Sequence, residues 1–175
     1  MKKLMYVALI LSIPLMLIFC SCSPTIDNDK KTVDTRMEQV LGVIKKQDKS
    51  AMKKLFCKKA LNDDKDIDKT ISSLFVFFRG DVVSYKLYAG PVATEERNVD
   101  GPGSHKKELE ATFDVVTQKQ KYRIALQEFT IDTTHPDNTN GIYSLCIIKA
   151  TNTDEHFAYW GEGKLGTPGI VIQYK

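Results

Sequence analysis

Histidine is scarce and scattered in this chain. Its three copies, His105, His135 and His156, fall into no H-x-x-x-H spacing, so two imidazoles are not set on one helix face and a metal centre is not supported. Excess charge is almost absent as well. Of the formal +3, Lys2 and Lys3 at the extreme N-terminus supply two charges, and the rest of the chain lacks the surplus of cations that binding nucleic acid requires. Internal repeats and low-complexity tracts are missing, which sets aside solenoids and global disorder. The glycines of GEGKLGTPG lack the Lys-Ser/Thr ending and the strand-to-helix setting of a phosphate loop, and no residue pattern implies a cofactor. Long apolar runs are confined to Leu4–Phe19, which Pro14 interrupts; that run is too short and too broken for a stable membrane span.

What is present begins with an address. Lys2 and Lys3 precede the apolar run, and CSCS follows it, the three-part layout of a secretory signal. Its end resembles the bacterial lipoprotein signal, in which a small residue precedes a cysteine that becomes lipidated. Cys20 follows the bulky Phe19, whereas Cys22 follows Ser21, so Cys22 is taken as the lipidated residue. The expected organisation is a lipoprotein signal peptide at 1–21, a lipidated tether at 22–31 and a single domain at 32–175. An ordinary cleaved signal or an uncleaved anchor is the competing reading. Two acyl chains hold a protein on a bilayer where one binds only marginally, so the protein is expected at the extracytoplasmic face of the cell membrane.

Beyond the tether, the period of the apolar residues changes once. Val33, Met37, Val40, Leu41 and Ile44 draw one helical stripe, and Ile67, Ile71, Leu74, Phe75 and Phe78 draw another, each needing a sheet to cover it. Between them Asp48 is an N-cap signal for a helix carrying Ala51, Met52, Leu55, Phe56 and Ala60. Gly80 stops the last helix, and Val82 opens a strand that bends at Gly90-Pro91. NVDGPGS at 98–104 is a turn, and after it Leu109, Ala111, Phe113 and Val115 alternate with Glu108, Glu110, Thr112 and Asp114, a half-buried strand. The next strand starts with Tyr122, Ile124 and Leu126 inward, and its phase slips to Phe129 and Ile131, which predicts a bulge near Gln127-Glu128. Ile142–Ala150 is apolar on both faces, the pattern of an inner strand. Phe157–Trp160 and Ile170–Tyr174 complete an α+β domain: N-terminal helices packed on a curved antiparallel sheet of five or six strands.

This order, with DKSAMKKLF from Asp48, LFVFFRGDVVSY at the helix–strand junction and a late tryptophan before glycine-rich sequence, resembles the nuclear-transport-factor-2-like, or cystatin-like, cone fold. It is more closely similar to a group of uncharacterised bacterial lipoproteins carrying such a domain, over residues 32–174. The resemblance implies a sheet wrapped around a long helix with a cone-shaped cavity. It carries over no catalytic residue.

In such a cone, Tyr85, Tyr88, Tyr122, Tyr143, Tyr159 and Trp160 are candidates for a pocket lining, against a reading as core and rim packing. Asp81, Glu110, Asp114 and Glu128 are the candidate carboxylates for a general base, with Glu128 at the bulge singled out. Cys57 and Cys146 either pair as a disulfide or remain two buried thiols. The leading expectation is a membrane-anchored module that binds a small molecule or a protein. The alternatives are a cavity enzyme of proton-abstraction or hydration chemistry, and a subunit of an envelope assembly or homodimer.

Overall fold

A computed structural model describes residues 24–150 and 166–173. The first stripe lies on helix α1, Pro24–Lys46, where Val33, Met37, Val40, Leu41 and Ile44 are all buried. The helix begins well ahead of the stripe, so residues 24–31 of the expected tether form its opening turns; Pro24 suits the first position, where its missing N–H would have had no partner. Among the described residues no helix is long and apolar enough to cross a membrane.

Asp48 caps helix α2, Lys49–Leu55, as its carboxylate accepts the Ala51 N–H at 2.9 Å. The expected continuation to Ala60 is broken. Phe56 bridges to Ile142, the Cys57 N–H donates to the Ile142 carbonyl at 3.0 Å, and the Cys57 sulfur caps a separate helix α3, Lys58–Asp63. Gly141 permits that approach: its φ is +122°, and a Cβ there would lie 3.0 Å from the Cys57 nitrogen.

Helix α4, Ile67–Phe77, buries Ile67, Ile71, Leu74, Phe75 and Phe77; it ends ahead of the expected stop, at Phe78, which is buried but already extended, and Gly80 at φ +84° turns the chain two residues later. Strand β1, Val82–Arg97, pairs with β2, His105–Thr117, then β3, Lys121–Asp132, then β4, Gly141–Lys149, and finally β5, Gly169–Gln173, in the order β1-β2-β3-β4-β5. A short helix α5, Pro136–Thr139, joins β3 to β4. The expected antiparallel sheet is in fact mixed, because β5 runs parallel to β4. β4 has a neighbour on each side, as its two apolar faces require. Phe157–Trp160 lie outside the described residues.

Both bends fall where the sequence puts them. Register slips in β1 between Leu87 and Val92, across Gly90-Pro91, and in β3 between Gln127 and Glu128 against β4. The inward phase does not slip before Glu128, however. Glu128 faces Leu109 across the β2–β3 pair and is wholly buried with Tyr122, Ile124 and Leu126. Cys57 belongs to the helix-side core, whereas strand alternation turns Cys146 to the opposite face of the sheet, between Ala125 and Val171; both thiols are buried and the bridge alternative does not form.

Two glycine substitutions separate these backbone constraints. Gly141→Ala is expected to lower stability by about 1–3 kcal/mol, since alanine must hold a positive φ against the Cys57 backbone. Gly42→Ala, inside α1 with nothing within 4 Å of a new Cβ, is expected to raise it by about 0.5–1 kcal/mol. Urea midpoints of the two variants check both signs.

Candidate functional site

Among the described residues, Glu128 meets one cation. Arg36, on the flank of the α1 stripe, donates its Nε–H to Glu128 Oε2 at 2.7 Å and a terminal N–H to Gln39 at 3.0 Å. Glu128 is 0% exposed and Arg36 24%. The other carboxylate oxygen, Oε1, is buried without a hydrogen-bond partner. Burial pushes the Glu128 carboxyl above its ordinary range, and the charge and hydrogen bond of Arg36 only partly offset that. The acid is therefore desolvated and held, under a helix rather than facing an open cavity.

Among the described residues, the candidate tyrosines do not assemble around it. Tyr122 accepts the Arg79 N–H at 2.7 Å and donates to the Phe77 carbonyl at 2.9 Å, while its ring stacks on Phe78 at 4.6 Å; it pins the end of α4 to β3. Tyr85 donates to Glu38 of α1 at 2.8 Å, and burial together with that carboxylate pushes its phenol up to about 12. Tyr88 is exposed on the far side of the sheet, where the Arg123 guanidinium lies 3.3 Å from its ring centre. Tyr143 packs against Phe129, with the Lys59 ammonium 5.1 Å from its ring centre. Tyr159, Trp160, His156 and Cys22 lie outside the described residues.

The remaining acids divide by face. Asp81 is exposed between α4 and β1. Asp114 accepts from Arg123 at 2.7 Å on the far face. Glu110, on that same face, is pushed up by burial and by the adjacent Glu108, whose other hydrogen bond comes from Gln127 at 2.5 Å.

An open cleft of about 480 Å³ lies elsewhere, lined by Lys59, Asn62 and Asp63 of α3, Glu96 and Lys106 at the paired ends of β1 and β2, and Phe129, Asp132, His135 and Thr139. Asp132 is 2% exposed. Burial works against its charge, but the Thr139 hydroxyl, the His135 and Thr134 N–H groups and Lys106 together hold its carboxyl below the ordinary range. A fixed carboxylate, two ammonium groups, an imidazole and an aromatic ring thus converge on a space of small-molecule size. Sequence reading missed this cleft. Its one local signal is Asp132 ahead of TTHP, an Asx-type turn; α3 and the hairpin end join it only through the fold.

A family model described as "Domain of unknown function (DUF5104)" matches residues 39–150, from the middle of α1 to just past β4. No curated protein matches the chain.

The Arg36–Glu128 pair predicts a definite response to pH. The unfolded chain ionises Glu128 in the ordinary carboxyl range and the folded chain only above it, so the contribution is present at acid pH and is lost as pH rises through the raised value. Glu128→Gln is expected to remove that fall in stability. Arg36→Met is expected to steepen it and to cost roughly 2–4 kcal/mol at neutral pH, because it strands a buried charge. Denaturation at a series of pH values measures both.

Proposed function

The chain belongs to the DUF5104 family, and on that footing we propose that it is a binding module, held at the extracytoplasmic face of the membrane by lipid on Cys22, that takes up a small polar molecule. The carrying observation is the cleft beside α3 and α5, whose volume of about 480 Å³ lies within the usual 300–1,000 Å³ of ligand pockets. Its lining offers charge of both signs, Lys59 and Lys106 against Asp63, Glu96 and Asp132, with Phe129 as an apolar contact. A zwitterionic or amide-bearing ligand suits that mixture. The reading of the fold as a nuclear-transport-factor-2-like cone goes with this proposal and is supported by the bulged sheet curving over α1 and α4.

The enzyme alternative asks Glu128 to act as a base, and the Arg36 bond and the cover of α1 argue against it. A second binding reading draws on β1, whose outer side forms one edge of the sheet and exposes Val83, Tyr88 and Val92; these suit a protein partner or a second copy of the chain.

Native mass spectrometry of the purified protein tests the cleft. A co-purifying small molecule is expected on the wild type and on Glu128→Gln, and is expected to be lost on Lys59→Ala and His135→Ala, both exposed positions that leave the core intact. Loss on Glu128→Gln with retention on the cleft variants would transfer the site to the helix-covered acid. Fatty-acid labelling that persists in Cys22→Ala would remove the anchor.

A further inference from the structure

Three contacts along α1 give its direction over the sheet. Asp29 meets Lys107 near the start of β2 at 2.6 Å, Arg36 meets Glu128 well along β3 at 2.7 Å, and Glu38 meets Tyr85 near the start of β1 at 2.8 Å. The helix therefore starts at the Arg97–His105 end of the sheet and runs toward the Val82–Thr117 end. Its opening turns are not loose. The Lys107 and Asp29 side chains are only 9% and 14% exposed, and Glu95 lies 3.5 Å from the same ammonium; parting such a desolvated pair is strongly unfavourable.

Only Ser23 stands between Cys22 and Pro24, and two Cα-to-Cα steps reach at most about 7–8 Å. A lipid on Cys22 would then be joined almost directly to a helix that is itself locked to the sheet. We propose that the domain is held in one orientation, with the Asn98–Ser104 hairpin tip and the first turn of α1 resting on the lipid bilayer and the cleft opening beside the headgroups. This rests on the reading of Cys22 as lipidated. Val99, 67% exposed at the hairpin tip, is the apolar side chain that enters the interface, and Glu96, Lys106 and Asp132 bring the cleft to the same end of the strands. Val76, 71% exposed on α4, stands at the other end. β2 joins the same two ends, and at about 3.3 Å per residue it separates them by at most roughly 40 Å.

The full chain, made and lipidated in bacteria, is placed on vesicles of phosphatidylcholine with a minority of phosphatidylglycerol and of nitroxide-labelled lipid. Val99→Cys and Val76→Cys each carry a small fluorophore; Cys57 and Cys146 are buried and do not compete for it. Flotation is read first, then quenching. The expected result is flotation of both variants, with fluorescence at position 99 quenched at least about twofold and position 76 unaffected, since interfacial residues sit within about 5–10 Å of the headgroup boundary. Flotation with equal quenching at both positions, or none at either, overturns the orientation and leaves the anchor standing. Failure to float overturns the anchor, and the orientation with it. Lys107→Gln is expected to shrink the difference between the two positions and Lys107→Arg to restore it; an unchanged difference in Lys107→Gln overturns the lock.

Discussion

The placement of α1 on the sheet is the constraint from which the rest of the molecule follows. Its apolar stripe decides which face turns inward, and each buried large side chain contributes about 1.5–3 kcal/mol. That force is non-directional: a helix slid by one turn along the same sheet would bury nearly as much. Directional bonds break the degeneracy. Asp29 to Lys107, Arg36 to Glu128 and Glu38 to Tyr85 reach three different strands, and all three are satisfied at one register alone. Glu128 is the most demanding of them, because a carboxylate without access to water must find its cation or be protonated.

The sheet meets α1 and α4 only because it bends. Gly90 takes a positive φ, and a side chain there would push a Cβ to 2.6 Å from the Glu110 carbonyl oxygen, so the crowded inside of the β1 bend excludes other residues. The β3 bulge performs the same task next to Glu128. At the far end Tyr122 joins the two layers by a single hydroxyl, accepting from the backbone just past α4 and donating back into it. Since the end of a helix leaves its last carbonyls without intrahelical donors, the tyrosine closes α4 and fixes its distance from β3 at once.

These relations explain what could be read from the residues beforehand. The stripes of α1 and α4, the Asp48 cap, the alternation of β2 and both bends depend on local sequence, and each was legible, whereas α4 stops at Phe78, two residues before the glycine that marks its end in the sequence. The break at Phe56-Cys57 was not, because helix propensity continues through it and the competing bond comes from Ile142, far along the chain. The parallel pairing of β5 is likewise a choice between distant segments. Glu128 stands out at the bulge, which obscures its direction, and nothing local marks Arg36, 92 residues away, as its partner. The tyrosines misled for a related reason: an aromatic ring with a hydroxyl suits a wet pocket and also suits a core position with one backbone partner, and Tyr122 takes the second.

Two acids with raised pKa values, Glu128 and Glu110, lie on opposite faces of the sheet, and neither lines the cleft. A raised pKa marks a functional group only when a ligand can reach it. Glu128 is sealed by α1 and ion-paired, and Glu110 takes its shift from burial and from the neighbouring Glu108. Asp132 shows the opposite behaviour. It is as buried as a core residue, yet donors from the turn after β3 keep it charged, and it stands in the cleft wall with exposed Lys59 and His135 nearby. A carboxyl held below its ordinary range by hydroxyl and backbone donors is a poor proton acceptor near neutral pH, whereas its fixed charge is suited to orienting a ligand; this supports the proposed binding role.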